Sequence, residues 1–505
     1  MIRSSKTPKC HMQASRRVPL AAVGVSLMVV LALGGCVVGP DFKPPAAPAD
    51  ERYTPEHLAS PGSGGPEKVS GQRFAQGADV PARWWNAFKS PALNDIVERS
   101  LARNPSLEAA LAAIEVARAN TDAQRGQFFP QVGANATSSR QLISNNTTFD
   151  PTDPNATPQS PYSLHTPQVN VAFVPDIWGA NVRAVESLDA QTEQQKYQYL
   201  AASLALTSNV VNAAISEASL RAQIAATRRI IAIETELLDL LRRQRALGQI
   251  AEADVQLQVV ALAQSQQLLP PLEKQLAQQR DLMIALTGER TSTEMTETFE
   301  LRALRLPRTL PVSLPATMLA QRPDVRAAEA LIHQASADLG VAIANRLPNI
   351  VLTANAGSSA FRAAELFTPG TGFYTLAASA TQPIFTGGTL AAKHRAAEAT
   401  LKQAQASYRN AVVTAFQNVT DALRALQHDA RAVNSAVAAE SAASRLLDIV
   451  RGQLQAGQVN QFALLNAQQS YLQATLSRIQ AESNRLADSV ALFTALGGGW
   501  DAADL

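Results

Sequence analysis

Of the side chains that carry reactive chemistry, this sequence holds two cysteines and six histidines, and neither set is arranged for catalysis. Past Cys36 the histidines are His57, His165, His333, His394 and His428, and none has a second His or Cys at ligand spacing, so each reads as a surface or packing residue. A Gly-rich phosphate loop, HExxH, CxxC and GxSxG are all absent from the sequence. The chain therefore reads as no enzyme, with no cofactor held by its side chains. The reactive position that stands out is Cys36, whose thiol follows a basic stretch and eighteen uncharged residues from Val18 to Gly35.

Leu33-Gly34-Gly35-Cys36 resembles the bacterial lipobox, in which the cysteine sulfur takes a diacylglycerol before cleavage makes it residue one. A transmembrane anchor with an incidental cysteine is the alternative, but eighteen residues is borderline for spanning and the small residues before Cys36 favour cleavage. Cys36 would then carry diacylglycerol and an N-acyl chain. Cys10 leaves with the signal, so the mature chain forms no internal disulfide. Val37 follows, where lipoproteins kept at the inner membrane would show Asp, and this points to the outer membrane. Met12 is an alternative start, with Arg16 and Arg17 still basic.

The elements behind these residues are set by one stretch. Between Gly179 and Gly248 lie 68 residues without Gly or Pro, rich in Ala, Leu, Gln, Glu and Arg, and this predicts one unbroken helix. At 1.5 Å per residue it would run about 100 Å, too long for the core of a compact globule. Apolar positions step by three and four through Leu204, Val211, Ile215, Ile230, Ile233, Leu237 and Leu240, a seam for coiled-coil partners. A second run opens at Gly387 or Gly388 and closes at Gly457, interrupted by Gly452 alone.

The two runs belong to a duplication. Asn104-Pro105 falls on Arg322-Pro323 and Phe129-Pro130 on Leu347-Pro348, with 130 − 105 = 348 − 323 = 25 residues between prolines. Gly248 falls on Gly457 and Gly288 on Gly498, offsets of 209 and 210, too long for a solenoid repeat. Each copy reads helix, β segment, β segment, long helix, helix. A first helix from Pro105 to Phe129 and a last one from Ala251 to Thr287 together match the long helix in length, as expected of a helical cylinder. Pro270-Pro271 would kink that last helix in the first copy, whereas Ile479-Gln480 stands there in the second.

Four segments alternate with period two: Val169 to Val174, Ile350 to Ala356, Tyr374 to Thr381 and, more weakly, Val132 to Ala136. Each is long enough to cross a bilayer as a tilted strand. The loops Asn145 to Pro161 and around Pro369-Gly370 read as exposed tips. A soluble sheet with one wet face would alternate in the same way. In lipid, four strands leave two unpaired edges, and each unmet backbone group costs several kcal/mol. Two chains would close eight strands around a filled interior, and three would close twelve around a duct.

Aromatics at 5% and charge at 17% are low, as in closely packed helices. The net charge of +2 becomes 2 − 5 = −3 without the five basic residues of positions 1–35, and nothing in it points to nucleic acid. The predicted division is 1–35 signal peptide, 36–90 extended arm with lipid anchor, 91–288 first repeat, 289–321 linker or belt, 322–498 second repeat and 499–505 tail. Arg83-Trp84-Trp85 with Phe88 reads as the dock for the arm or as a small aromatic core.

The residues resemble the TolC-like outer-membrane factors of tripartite efflux pumps, lipoprotein branch. The matching stretches are Cys36 to Pro45, Trp84-Trp85 with Phe88, Pro91 to Leu93, Asn104-Pro105 to Ala117, Phe129-Pro130, Gln321 to Arg326 with Ala328-Glu329, Arg346 to Pro348, Gln382 to Phe385 with Gly387-Gly388, and Leu454 to Gly457. The resemblance implies a mainly α fold with membrane β. It would be a homotrimer whose α-barrel continues a twelve-stranded β-barrel in the outer membrane, working with a periplasmic adaptor (membrane fusion protein) and an inner-membrane transporter. The rival is a periplasmic coiled-coil lipoprotein scaffold that conducts nothing, which has no need of paired β segments in both copies.

The family also implies a periplasmic gate behind the two helix-turn glycines, Gly248 and Gly457, with a ring of acids and hydrogen-bonded links. One acid maps to Asp254; two others map to the neutral Ala463 and Asn466, and the tyrosine and arginine partners map to Leu454 and Val459. A carboxylate ring attracts cations at a narrow mouth. Here the expectation is closure by apolar packing of Leu454, Val459, Phe462 and Leu465, with Asp254 the one acid of the matched set; alternatively Asp254 only serves a helix start. Asp448 and Arg451, a turn apart, read as an intrahelical pair.

Overall fold

The computed structural model describes residues 37–46, 52–56, 60–61, 71–142, 160–292 and 295–500. The predicted signal peptide, Cys36, His57 and most of the predicted tip loop 145–161 lie outside them. The strands are β1 (Arg73–Gln76), β2 (Gln131–Gln141), β3 (Tyr162–Phe173), β4 (Thr309–Val312), β5 (Asn349–Ser358) and β6 (Gly372–Thr381). The helices are α1 (Pro91–Arg103), α2 (Pro105–Arg125), α3 (Ala180–Ala246), α4 (Glu252–Gln267), α5 (Leu269–Leu286), α6 (Pro315–Gln321), α7 (Pro323–Ala344), α8 (Thr389–Gln455) and α9 (Gln461–Ala495). The two uninterrupted runs are single helices of 67 residues each, α3 and α8.

The duplication reappears in the backbone. α3 and α8 both end in a glycine at positive φ, Gly248 at 74° and Gly457 at 68°. Gly248 N–H bonds Arg245 O and Gln249 N–H bonds Gln244 O; Gly457 and Gln458 repeat this on Leu454 O and Gln453 O. This is the Schellman pair of bonds, which satisfies carbonyls the helix leaves open. Proline splits one copy only. α4 and α5 meet at Leu268, because Pro270 and Pro271 have no N–H to return to the preceding turn, whereas α9 runs on unbroken.

The chain sorts into two units. One contains Asp41–Asp122, Ser187–Ser336 and Glu398–Leu505. Its core gathers Trp84, Trp85, Phe88, Val211, Ile215, Leu310, Met318, Val419, Val490 and Phe493. Trp84 stacks on Phe493 with centroids 5.4 Å apart, so the Trp-Trp-Phe motif is a core and a dock at once. Two matched joints close the ends of the repeats here. Asn104 Nδ2 donates to Leu286 O at 2.9 Å, and Arg322 Nη1 donates to Ala495 O at 2.6 Å, so the residue before each helix-opening proline caps the last helix of its own copy. Gly288 lies so near Arg103 O that a Cβ would fall 2.4 Å from it.

Several expectations are corrected in this unit. The extended arm and the linker each contribute a strand the sequence reading did not name: β1 pairs in parallel with β4, Arg73 opposite Thr309 and Gln76 opposite Val312. Each copy also starts with a helix the sequence order omitted, α1 or α6, both with proline in the first turn. The seam on α3 has a different phase beyond Ile230. Leu238 and Leu241 are buried and Leu240 is 44% exposed, because buried Thr227 and Glu234 occupy seam positions that an apolar template skips. Among the described residues Asp448 and Arg451 form no ion pair; an exposed pair of this kind gains too little to hold two long side chains.

The other unit contains the described residues up to Pro40 with Ala123–Glu186 and Ala337–Ala397. Its sheet has the order β2-β3-β5-β6, antiparallel throughout, so the strands of the two copies meet at β3 and β5. β2 and β6 are its edges.

Candidate functional site

Register decides what the sheet can face. Val132 stands opposite Val171, Val169 opposite Ala356, Phe173 opposite Leu352 and Ala354 opposite Leu376. Directly opposed residues share a face. One face therefore carries Val132, Ala134, Val169, Val171, Phe173, Ile350, Leu352, Tyr374 and Leu376. The other carries Asn135, Thr137, Asn170, Thr353, Asn355, Thr375 and Ser379, with Asn170 Nδ2 donating to Asn135 Oδ1 at 2.5 Å. Among the described residues nothing covers the apolar face: Tyr374 is 79% exposed and Leu376 75%. In water that patch would drive association. A strand pattern of this kind fits lipid on one side and an aqueous lumen on the other.

The gate residues sit in two helical hairpins with two apolar clusters, and Leu237 of α3 packs against both. α8 and α9 enclose Leu447, Val450, Leu464 and Ala467, with Leu454, Val459, Ala463 and Tyr471 packed against them. α3 and α4 enclose Leu238, Leu241 and Val255. Leu465 is buried, Asn466 is exposed and Phe462 is 57% exposed. Leu454, Val459 and Ala463 are thus brought together, and Phe462 points away from that cluster. Asn460 opens α9 by accepting from Ala463 N–H at 3.2 Å. Ala251 has no such oxygen, and Asp254 reaches back instead, Oδ2 accepting from Ala251 N–H at 3.3 Å. Asp254 is therefore tied to a helix start, the role its position near an N-terminal dipole favours.

Sequence reasoning missed the residues that lie between the hairpins. Gln461, Gln468 and Thr475 recur at sevens along α9, Gln258 and Ser265 along α4, and Thr227 and Glu234 along α3, all buried. Gln461 Nε2 donates to Gln258 Oε1 at 3.3 Å, and Gln258 Nε2 to Glu234 O at 3.1 Å. Gln468 has neither amide atom partnered and Glu234 has one free oxygen. Burial pushes the Glu234 carboxyl above its usual range, against the hydrogen bond from Ser265. The signal was present as polar residues at heptad spacing, and a search for apolar steps passes over it. Among the described residues no group of His, Cys, Asp and Glu is placed to hold a metal ion. His165 meets Ser138 Oγ at 2.9 Å and His333 stacks on Phe42.

Membrane strands with a bare apolar face, set in one chain with duplicated 67-residue helices, define an outer-membrane duct protein of the TolC-like fold. The family model described as outer membrane efflux protein matches residues 96–289 and 314–498. The chain belongs to that family. It is 30% identical over 495 residues to the outer membrane protein OprJ of Pseudomonas aeruginosa, covering 95% of this chain and 96% of OprJ. It is 30% identical over 434 residues to the pyoverdine export outer membrane protein OpmQ of Pseudomonas putida, covering 83% and 88%. Among solved structures the outer-membrane channel OprN superposes with a TM-score of 0.80 at 25% identity, over 92% of this chain and all of OprN. The protein is an outer-membrane efflux duct, and the non-conducting scaffold is set aside. Such ducts are not an enzyme class.

Proposed function

We propose that three copies close this duct, that Cys36 carries its lipid anchor, and that it passes substrates from a periplasmic adaptor and an inner-membrane transporter to the exterior without catalysing any reaction. The observation that carries the assembly is the sheet with two open edges. β2 and β6 leave rows of 11 and 10 residues without a strand on one side, beside an apolar face turned outward. In a bilayer those backbone groups must be met, and β6 of one chain on β2 of the next meets them. Four strands from each of three chains make twelve, wide enough to leave a passage. A cysteine at Ala378 on β6, tested against a series of cysteines along β2, is expected to give covalent dimers and trimers from outer-membrane fractions. A product that stays monomeric at every pairing refutes the assembly.

Opening belongs to the hairpins, by untwisting about their polar seam. With Ala463 and Asn466 uncharged, Asp254 is the one acid of the set matched to the family's gate. Block by divalent or trivalent cations, read as single-channel conductance in planar bilayers, is expected to be weak and to vanish in Asp254→Ala. Strong block that survives this substitution refutes the apolar tip.

A further inference from the structure

Four residues behind Cys36 sit in a cleft built for them. Val38 N–H donates to Trp178 O at 3.1 Å. Arg183, 4% exposed, donates from Nε to Val38 O at 3.2 Å and from Nη2 to Gly39 O at 3.4 Å, and pairs with Glu186 at 2.7 Å. Its stem lies across Gly340 of α7, where a Cβ would come 2.8 Å from Arg183 Cγ. Gly39, at φ +99°, presses on the same glycine, its own Cβ position 2.5 Å from Gly340 Cα. On the other side Gly179, at φ +72°, would put a Cβ 2.9 Å from Val37 Cα. Trp178 is held in turn, Nε1 donating to Pro348 O at 2.8 Å.

A buried guanidinium costs several kcal/mol unless its donors are met. This one spends two donor groups on the main chain of a four-residue strap, which Gly39 and Gly340 let approach to backbone contact. A lipid on a slack tether needs no such fit. Val37, which follows Cys36 in the chain, lies with its Cα against Gly179. The described strap thus begins beside the turn Asp176–Gly179, where β3 gives way to α3.

We propose that this cleft is a seat for the mature N terminus, with Arg183, Gly340 and Gly39 as positioning residues that fix where the acyl chains enter the periplasmic leaflet and so set the depth of the strands. What the strap carries rests on the lipid reading of Cys36; the seat itself does not. The test uses the full-length protein in outer-membrane vesicles, treated with proteinase K and followed by intact mass. The wild type is expected to keep residues 36–46 on its body, while Gly340→Val and Arg183→Ala lose them at least tenfold faster. Gly39→Ala alters only the strap and leaves both helices intact, and is expected to behave likewise while keeping its heat-stable oligomer.

Depth is read separately, by a water-soluble maleimide on single cysteines stepped along β2 in a Cys36→Ala background and in the acylated protein. Gly39→Ala is expected to shift or blur the labelling boundary of the acylated protein only. Palmitate incorporation, lost in Cys36→Ala, judges the lipid reading by itself. Equal protease release in the wild type and all three variants, or an unmoved boundary in the acylated Gly39→Ala protein, overturns the proposal.

Discussion

Arg485 shows how a single side chain ties distant parts of this chain together. It is 1% exposed, and its Nε donates to Gln72 Oε1 at 2.9 Å, across 413 positions of sequence. Gln72 in turn donates to Ser489 Oγ at 3.0 Å, while Arg485 Nη2 has no partner. Asp429 of α8 faces this group and Asp488 of α9. Burial first, then the hydrogen bond and charge of Asp488, push its carboxyl up to about 7, against the pull of Arg485. Burial also lowers Arg485. Because the folded value of Asp429 is raised above the ordinary 3.8, the stability it adds is complete below that value and is lost as pH rises through about 7. The unfolding midpoint of the detergent-solubilised protein should therefore fall from pH 5 to 8, and Asp429→Asn should flatten that slope. A slope that persists in the variant rules out this carboxyl as its source. No sequence pattern marks the cluster, since its members sit on two helices and an arm whose meeting is a property of the fold.

At the scale of elements, what was legible followed from backbone chemistry that acts locally. Glycines bounding two proline-free runs, Gly179 to Gly248 and Gly388 to Gly457, predict both long helices, because propensity and the left-handed cap act within a few residues. The Pro270-Pro271 break was legible for the same reason. β1 and β4 were not, because a four-residue parallel pair takes its stability from a partner over 200 positions away. The phase of the tip seam was not legible either, since polar residues fill it. Leaving Gln468 buried with both amide atoms unmatched costs about 1–3 kcal/mol, and coiled coils accept such residues where they fix register. Leu237 of α3 packs against the apolar clusters of both hairpins, and the polar stripe runs between them. Gln468→Leu should raise the unfolding midpoint, worth about 1–3 kcal/mol, and reduce channel opening in bilayers. A gain in stability with unchanged opening would make the stripe a matter of packing alone.

For the whole molecule the deciding quantity is the asymmetry between the faces of one sheet. The alternation read from the sequence is satisfied equally by a soluble sheet and by a lipid-facing one; register and exposure break the tie, since Leu376, Tyr374 and Val132 line up on a face that no described helix covers. A bilayer then treats neighbouring positions on β6 oppositely. Leu376→Lys places an ammonium in hydrocarbon, at about 2–4 kcal/mol per chain near the midplane, while Thr375→Lys, one residue away, points into the lumen and is tolerated there. Three chains closing one barrel multiply the first penalty by the number of copies. Leu376→Lys should therefore deplete the heat-modifiable oligomer from outer-membrane fractions, whereas Thr375→Lys should assemble at wild-type level and shift ion selectivity in bilayers. Equal assembly of the two variants would mean that this sheet has no lipid face, and the duct with it would lose its membrane segment.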